Sequence, residues 1–300
     1  MRQTRSDVIF DVINTAILCL LTIAWIYPLY FVIIASLSDP YAVVSGKVWF
    51  VPSGFTLEAY RNIFQNSQIW VGYYNTIFYT VFGTALSLAL TIPAGYALSK
   101  KYFPCRTFVT WIYLFTNFFG GGMIPHYLLV RSLGILNTRA VMVILGSLSV
   151  WNIIVTRTFF SSAIPSELYE SGKIDGAGEI QMFFKIALPL AAPIIAVMAL
   201  WYGVGNWNGY FTALIYANLR RLEPLQLVLR RILILNESAL SEAAANILDA
   251  EYFAELARRQ YMAEAMKYAL VFIASAPLLA AYPFIQKYFV KGVMIGSIKG

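Results

Sequence analysis

The sequence predicts an all-α, polytopic transmembrane bundle with six membrane helices. Three observations lead there. Of the 300 residues, 59% are hydrophobic and only 12% are charged, against about 25% charged in a soluble domain. Mean hydropathy is +0.66. Six stretches carry no Asp, Glu, Lys or Arg: 12–38, 71–99, 107–130, 140–156, 186–219 and 268–286. A helix crossing a hydrocarbon core of about 30 Å takes about 20 residues. The fourth stretch is short and is expected to run past Arg157 to Phe160. Helices satisfy their own backbone in lipid, which selects a helical bundle.

The first stretch follows Arg2 and Arg5, as a signal peptide would. It is too long for an h-region and lacks a small-x-small cleavage site, so it reads as a retained helix. The loop from Ser38 to Trp70 has turn chemistry at Asp39-Pro40 and Pro52-Ser53-Gly54. Within it, 56–64 reads as a short helix with Thr56 as cap. Lys100, Lys101 and Arg106 crowd the next turn. In the third stretch, Asn117 precedes Gly120-Gly121-Gly122, a gate hinge or, preferred here, a close-packing face.

Between the fourth and fifth stretches, residues 164–186 hold Glu167, Glu170, Asp175 and Glu179 with Lys173 and Lys185, so this segment lies outside the lipid. Pro165 and Ser166 start one short helix, Gly176 permits a bend, and 178–186 forms a second. Pro189 then opens the next membrane helix, where a missing N–H costs little. Residues 218–267 form a long polar segment. Its 225–235 part reads as a helix with Arg230 and Arg231 on one edge, and 241–260 as a second, more polar helix.

Several function classes are opposed by composition. The chain has no Walker A motif, and its one histidine, His126, reads as an interfacial residue. No Cys/His cluster suggests a metal site, and no nucleophile–base pair suggests catalysis. Cys19 and Cys105 are not expected to pair. The net charge of +7 fits contact with anionic membrane lipid rather than nucleic acid. Ion-coupled carriers place ionisable groups inside the bundle, and these apolar stretches have none. Energy must therefore enter from outside the membrane core, with the segment around Glu170 as the port.

The fifth stretch offers a pathway lining. Trp201, Tyr202, Asn206, Trp207, Asn208 and Tyr210 alternate rings and amides with Gly203, Gly205 and Gly209. Aromatic stacking and amide hydrogen bonds suit a sugar; helix packing and interfacial anchoring explain the same residues equally well. Asn206 and Asn208 lie about 200° apart on a regular helix, so at least one of them is expected to face a cavity. Asn117 and Asn152 are weaker candidates.

Glu170-Ser171-Gly172, Asp175-Gly176-Ala177 and Ile186-Ala187-Leu188-Pro189 together resemble the EAA loop of ABC importer permeases. The family pattern prefers two alanines after the Glu. Met123-Ile124-Pro125, Asn75-Thr76 and the tail from Tyr282 to Gly300 extend the likeness along nearly the whole chain. It resembles carbohydrate permeases of the maltose-importer type. Within these, the Lpl/Ytc-type oligosaccharide permeases, which include importers of uronate oligosaccharides such as alginate, look most similar.

The resemblance implies one transmembrane domain over 1–300, with a core of about 71–290, a cytoplasmic coupling-helix elbow at 164–186 and an extracytoplasmic segment at 218–267. It implies a bacterial inner-membrane location with both termini cytoplasmic. Charge counting alone splits Lys and Arg evenly between the two sides, and only the crowded short loops favour that orientation. The implied partners are a second, related permease, two ATPase subunits that bind ATP and Mg, an extracytoplasmic solute-binding protein and an oligosaccharide. The chain itself is expected to be no enzyme and to hold no cofactor. Coupling would fall to Glu170, Ser171, Gly172, Asp175, Gly176, Ala177, Leu188 and Pro189, with Glu170 meeting a basic cleft of the ATPase. A permease for a peptide or polyamine is the alternative, and an ion-coupled carrier a more distant one.

Overall fold

The computed structural model describes the backbone of residues 5–244 and 250–297, and the side chains of residues 7–234 and 258–283. The described residues are helical, with turns and loops and no strand. Contacts divide the chain into two units, Met1–Ser67 with Leu229–Pro277, and Gln68–Val228 with Leu278–Gly300.

Three helices are long and apolar enough to cross a membrane: Asp7–Ser36, Ser67–Ser99 and Arg258–Pro283. Glu179–Leu190 and Ala192–Trp207 make a fourth if that bent pair counts as one span. The remaining apolar stretches are helical but broken.

In the first unit, α1 (Arg5–Ser36) leaves most of its apolar side chains exposed, as a lipid-facing helix does. The loop beyond it folds back on the end of α1. Asp39 caps α2 (Pro40–Val44) by accepting from the Ala42 N–H at 3.2 Å. Asp39 N–H donates to Ser53 O, and Thr56 N–H to Leu37 O. Ile34, Ala35, Ala42, Val43 and Val48 bury a small core there, against Phe31 and Tyr268. The helix expected at 56–64 is α3 (Glu58–Gln65), starting two residues later. Leu57 sits at its cap position; Thr56 Oγ1 still accepts from the Glu58 N–H at 3.2 Å.

The second unit is organised along α4 (Ser67–Ser99). Its first half packs Tyr79 into a cluster with Val130 of α6 (Met123–Ser132), Val141 and Met142 of α7 (Arg139–Ile144), and Ala213 and Tyr216 of α13 (Phe211–Tyr216). Its second half packs Ile92 and Tyr96 against Phe160 of α8 (Val150–Ser162) and Ile194, Met198 and Tyr202 of α12 (Ala192–Trp207).

The third apolar stretch is divided into α5 (Arg106–Phe118) and α6. The glycines between them do not form a close-packing face. Gly120 and Gly122 have open space where a Cβ would stand, and Gly122 has φ +86°. Phe119, extended at φ −114°, ends α5, and Gly122 stands at the N-cap of α6 in a backbone conformation that favours glycine. The fourth stretch breaks likewise at Gly146, and α8 carries it past Arg157 to Ser162.

Asn75 and Thr76 have a clear structural role. Asn75 Nδ2 donates to Arg221 O at 2.8 Å and to Glu223 O at 3.1 Å. Thr76 Oγ1 accepts from the Leu225 N–H at 2.7 Å, and Tyr79 Oη donates to Leu222 O at 2.9 Å. These side chains pin residues 221–225 to α4 and start α14 (Leu225–Ala244). Asn75→Leu removes the donor from the buried Glu223 carbonyl, worth about 1–3 kcal/mol, and from the part-buried Arg221 carbonyl, worth less. A fall in the thermal unfolding temperature of the detergent-purified protein is expected.

The polar helix expected at 241–260 is helical at both ends of that range. Residues 241–244 end α14, 250–260 open α15 (Ala250–Ser297), and 245–249 lie outside the described residues. The tail side chains from 284 onward lie outside them as well.

Candidate functional site

The segment at 164–186 folds as an elbow. Pro165 precedes α9 (Ser166–Ile174). Asp175 ends it, and Gly176 follows at φ +77°. Gly176 N–H donates to Lys173 O at 3.0 Å and Ala177 N–H to Gly172 O at 2.9 Å. That pair of bonds is a Schellman closure, whose left-handed position strongly favours glycine. The chain then re-enters α10 (Glu179–Met182).

Gly172 is buried against the second arm. A Cβ there would stand 2.9 Å from Ile186 Cδ1 and 3.7 Å from Met182 Cγ. Its small size lets the two arms of the elbow meet. Glu170, Ser171 and Asp175 are exposed, and Ala177 is half-buried. Ser171 Oγ donates to Leu168 O. Glu170 borders an open groove of ≈ 840 Å³ that also presents Lys100, Lys101, Arg106 and Lys173.

The elbow joins its membrane helix differently from the sequence expectation. Residues Phe183–Ala187 form a π-helical turn, followed by α11 (Leu188–Leu190). Leu188 is half-buried and Pro189 exposed within α11. Pro189 therefore does not open the long helix. That helix is α12, which starts at Ala192 with Pro193 in its first turn. The axis turns by 77° between the two pieces. Pro193 has no N–H for the Pro189 carbonyl four residues earlier, so the ladder is interrupted where the chain bends.

The far half of α12 borders a cavity of ≈ 300 Å³. Asn152, Trp201, Tyr202 and Asn206 line it, together with Tyr79, Ser149 and Gly205. None of its lining residues is Asp, Glu, Lys or Arg. Tyr202 Oη accepts from the Ser149 N–H at 3.2 Å and shares a 2.7 Å hydrogen bond with Thr91 Oγ1. Ser149 in turn caps α8 by accepting from the Asn152 N–H at 3.4 Å. Asn206 Nδ2 donates to Thr84 Oγ1 at 3.4 Å. The Asn206 amide can reach α4 because Gly83 faces it: a Cβ on Gly83 would lie 2.8 Å from Nδ2.

The other pathway candidates stand apart from this cavity. Trp207 is buried on another face of α12, Asn208 is the exposed residue capping its C-terminus, and Tyr210 is exposed beyond it. Asn117 is exposed on α5. His126 Nδ1 bonds Tyr216 Oη at 2.7 Å. Cys19 and Cys105 are free.

Two groups of residues escaped the sequence reading. Ile174 and Ile180 are 87% and 76% exposed on the elbow. Apolar side chains in a segment too charged for lipid were the available signal. Tyr79 and Ser149 at the cavity carry no local signature, since they converge only through packing of α4 on α8 and α12.

Comparison with known proteins places this arrangement. Protein LplC of Bacillus subtilis (strain 168) is 37% identical over 302 residues, covering 100% of this chain and 98% of that protein. The polygalacturonan/rhamnogalacturonan transport system permease protein YtcP of the same organism is 37% identical over 295 residues, 97% of this chain and 99% of its own. A chain in the crystal structure of a bacterial ABC transporter involved in the import of the acidic polysaccharide alginate superposes with a TM-score of 0.81 at 32% identity, covering 96% of this chain and 99% of that one. Residues 1–295 match the family described as binding-protein-dependent transport system inner membrane component. With the elbow and the cavity-lining helix in place along that same span, the chain belongs to this family of inner-membrane transport components, which are permeases rather than catalytic subunits.

Proposed function

We propose that this chain is the membrane-spanning permease of an ATP-driven oligosaccharide importer. It forms half of the pathway and takes its motion from a cytoplasmic ATPase. The observation that carries this reading is continuity: the α9–α10 elbow, with Ile174, Ile180 and Glu170 exposed, runs through one bend into α12, which lines the cavity. A push on the elbow therefore reaches the lining without passing through a flexible loop.

Sugar as cargo is supported from two sides. YtcP and the alginate importer are named for polysaccharide transport. The cavity offers Trp201, Tyr202, Asn152 and Asn206, rings for stacking and amides for hydroxyls. Its lining has no carboxylate for a polyamine. The sister permease would complete the pathway, two ATPase subunits would bind ATP and Mg, and an extracytoplasmic solute-binding protein would deliver cargo. In this reading the domain covers 1–300 with a core of about 71–290, and the broken stretches α5–α6 and α7–α8 complete six spans. The elbow at 164–186 and both termini are cytoplasmic, and 218–267 is extracytoplasmic. Coupling rests on Glu170, Ser171, Gly172, Asp175, Gly176, Ala177, Leu188 and Pro189.

Reconstitution with the sister permease, ATPase and binding protein tests the proposal. Oligosaccharide uptake is expected only with ATP inside the vesicle system and the binding protein outside. Uptake driven by a sodium or proton gradient without ATP would overturn it.

A further inference from the structure

The elbow is held from a second side. The turn between α4 and α5 supplies Lys100, which reaches α9, and Tyr102, which reaches both α9 and α10. Lys100 is buried, and its Nζ stands 2.8 Å from the centroid of the Tyr169 ring on α9 and 4.6 Å from that of Tyr96 on α4. Tyr102 Oη donates to Glu179 Oε2 on α10 at 2.7 Å, and Lys173 Nζ of α9 lies 4.3 Å from the Tyr102 ring centroid. The hydroxyls of Tyr96 and Tyr169 are buried with no hydrogen-bond partner among the described residues.

We propose that Lys100 and Tyr102 are positioning residues that clamp the coupling elbow to α4, giving the elbow a second mechanical output beside α12. From the clamp, α4 runs back to the cavity. Thr91 bonds Tyr202, Thr84 bonds Asn206, and Tyr79 lines the cavity itself. An elbow tied to α12 alone would pivot at Ala191; tied also to α4, it shifts both walls together. This inference rests on the reading of the elbow as the coupling element.

Acid–base behaviour separates a coupling role from a packing one. Burial, partly opposed by Glu179 and assisted by Lys173, lowers the Lys100 ammonium from its ordinary range to about 8. Burial also raises the Tyr169 phenol to about 12, and burial with the Glu179 hydrogen bond raises Tyr102. Both phenols therefore stay protonated while Lys100 titrates. Glu167 and Glu170 of α9, and Lys101 and Arg106 beside the turn, border the same groove. Because the folded protein binds the Lys100 proton more weakly than the unfolded chain, stability rises as pH climbs above about 8 toward the ordinary lysine value. The ring clamp needs the cation, so coupling falls over that interval. Stability and coupling move in opposite directions.

The test uses the assembled importer in proteoliposomes, with Lys100→Met, Lys100→Arg and Tyr102→Phe. Met keeps the stem and removes the charge. Expected for Lys100→Met is retention of the bound ATPase and an unfolding temperature at or above that of the wild type, since a buried cation is removed, with uptake per ATP hydrolysed reduced about tenfold, the scale of a desolvated cation–π contact. Lys100→Arg should restore coupling and abolish its decline above pH 8. Tyr102→Phe should give a smaller loss. Wild-type uptake per ATP in Lys100→Met overturns the proposal. So does loss of the ATPase from the complex, because the turn would then be a docking surface and not a clamp behind one. Failure of the elbow reading itself shows separately, as normal coupling in variants of Gly176.

Discussion

Gly176→Val should abolish ATP-driven uptake while the protein still inserts in the membrane. The residue sits at φ +77° and closes α9 through the Lys173 and Gly172 carbonyls. An L-residue in this region costs roughly 1–2 kcal/mol, and a β-branched one more. No atom lies within 4 Å of the Cβ position at Gly176, so the penalty is conformational and not steric crowding. Gly176→Asn, which tolerates the left-handed region, should therefore retain much of the activity. The strain in the Val variant is relieved only by opening the closure and splaying α10 from α9. Glu170→Ala is the companion test. It leaves the elbow intact and removes an exposed carboxylate. If that carboxylate enters a basic cleft of the ATPase, losing one partner of a buried pair costs about 3–5 kcal/mol. Substrate-stimulated ATPase activity and uptake are measured together in each variant. Normal values in both would remove the elbow from the mechanism.

The second large effect concerns two neighbouring amides. Asn206→Leu should lower uptake about tenfold or more, equivalent to the loss of a hydrogen bond with its desolvated partner. Its side chain borders the cavity, bonds Thr84 and fills the space left by Gly83. Asn208→Leu should leave uptake close to wild type, since Asn208 is the exposed C-terminal cap of α12 and its role there uses the backbone N–H to Val204 O. Initial uptake rates, normalised to assembled complex, decide the matter. Equal rates for the two variants would mean that cargo does not contact this face of α12.

How much of this could be read beforehand depends on the range of the interaction. The elbow was legible because its determinants are local. Pro165 before a helix, glycine at a bend and a run of charges too costly for lipid all act within a few residues. The long helices α1 and α4 were legible for the same reason, as uninterrupted apolar runs. Helix breaks were harder. Gly120 to Gly122 suggested close packing, but Gly120 and Gly122 stand in open space and Gly122 serves as the N-cap of α6. Pro189 looked like the start of the fifth membrane helix, although a π-helical turn and a bend displace that start to Ala192. No local rule predicts a π turn. The cavity was partly legible: rings and amides marked Trp201, Tyr202 and Asn206, while Tyr79 and Ser149 arrive from distant stretches of chain. The clamp at Lys100 was least legible, since three lysine or arginine residues in a short turn between apolar stretches ordinarily signal orientation and nothing more.

The neutral lining of the cavity has an electrical consequence. With no Asp, Glu, Lys or Arg among its lining residues, this chain's wall of the proposed pathway brings no fixed charge of its own to the alternation of access. The voltage across the membrane therefore acts on the cargo and not on these walls. A neutral oligosaccharide enters at no electrical cost. An acidic one works against an interior-negative potential at about 2.3 kcal/mol per charge for each 100 mV, so three acidic units would require roughly 7 kcal/mol. The residues this chain contributes supply no counter-charge for that work; where the sister permease's half is neutral as well, the work falls to ATP hydrolysis. For a charged cargo, voltage would thus set how far uptake can concentrate the solute, while leaving the cavity's own switching untouched.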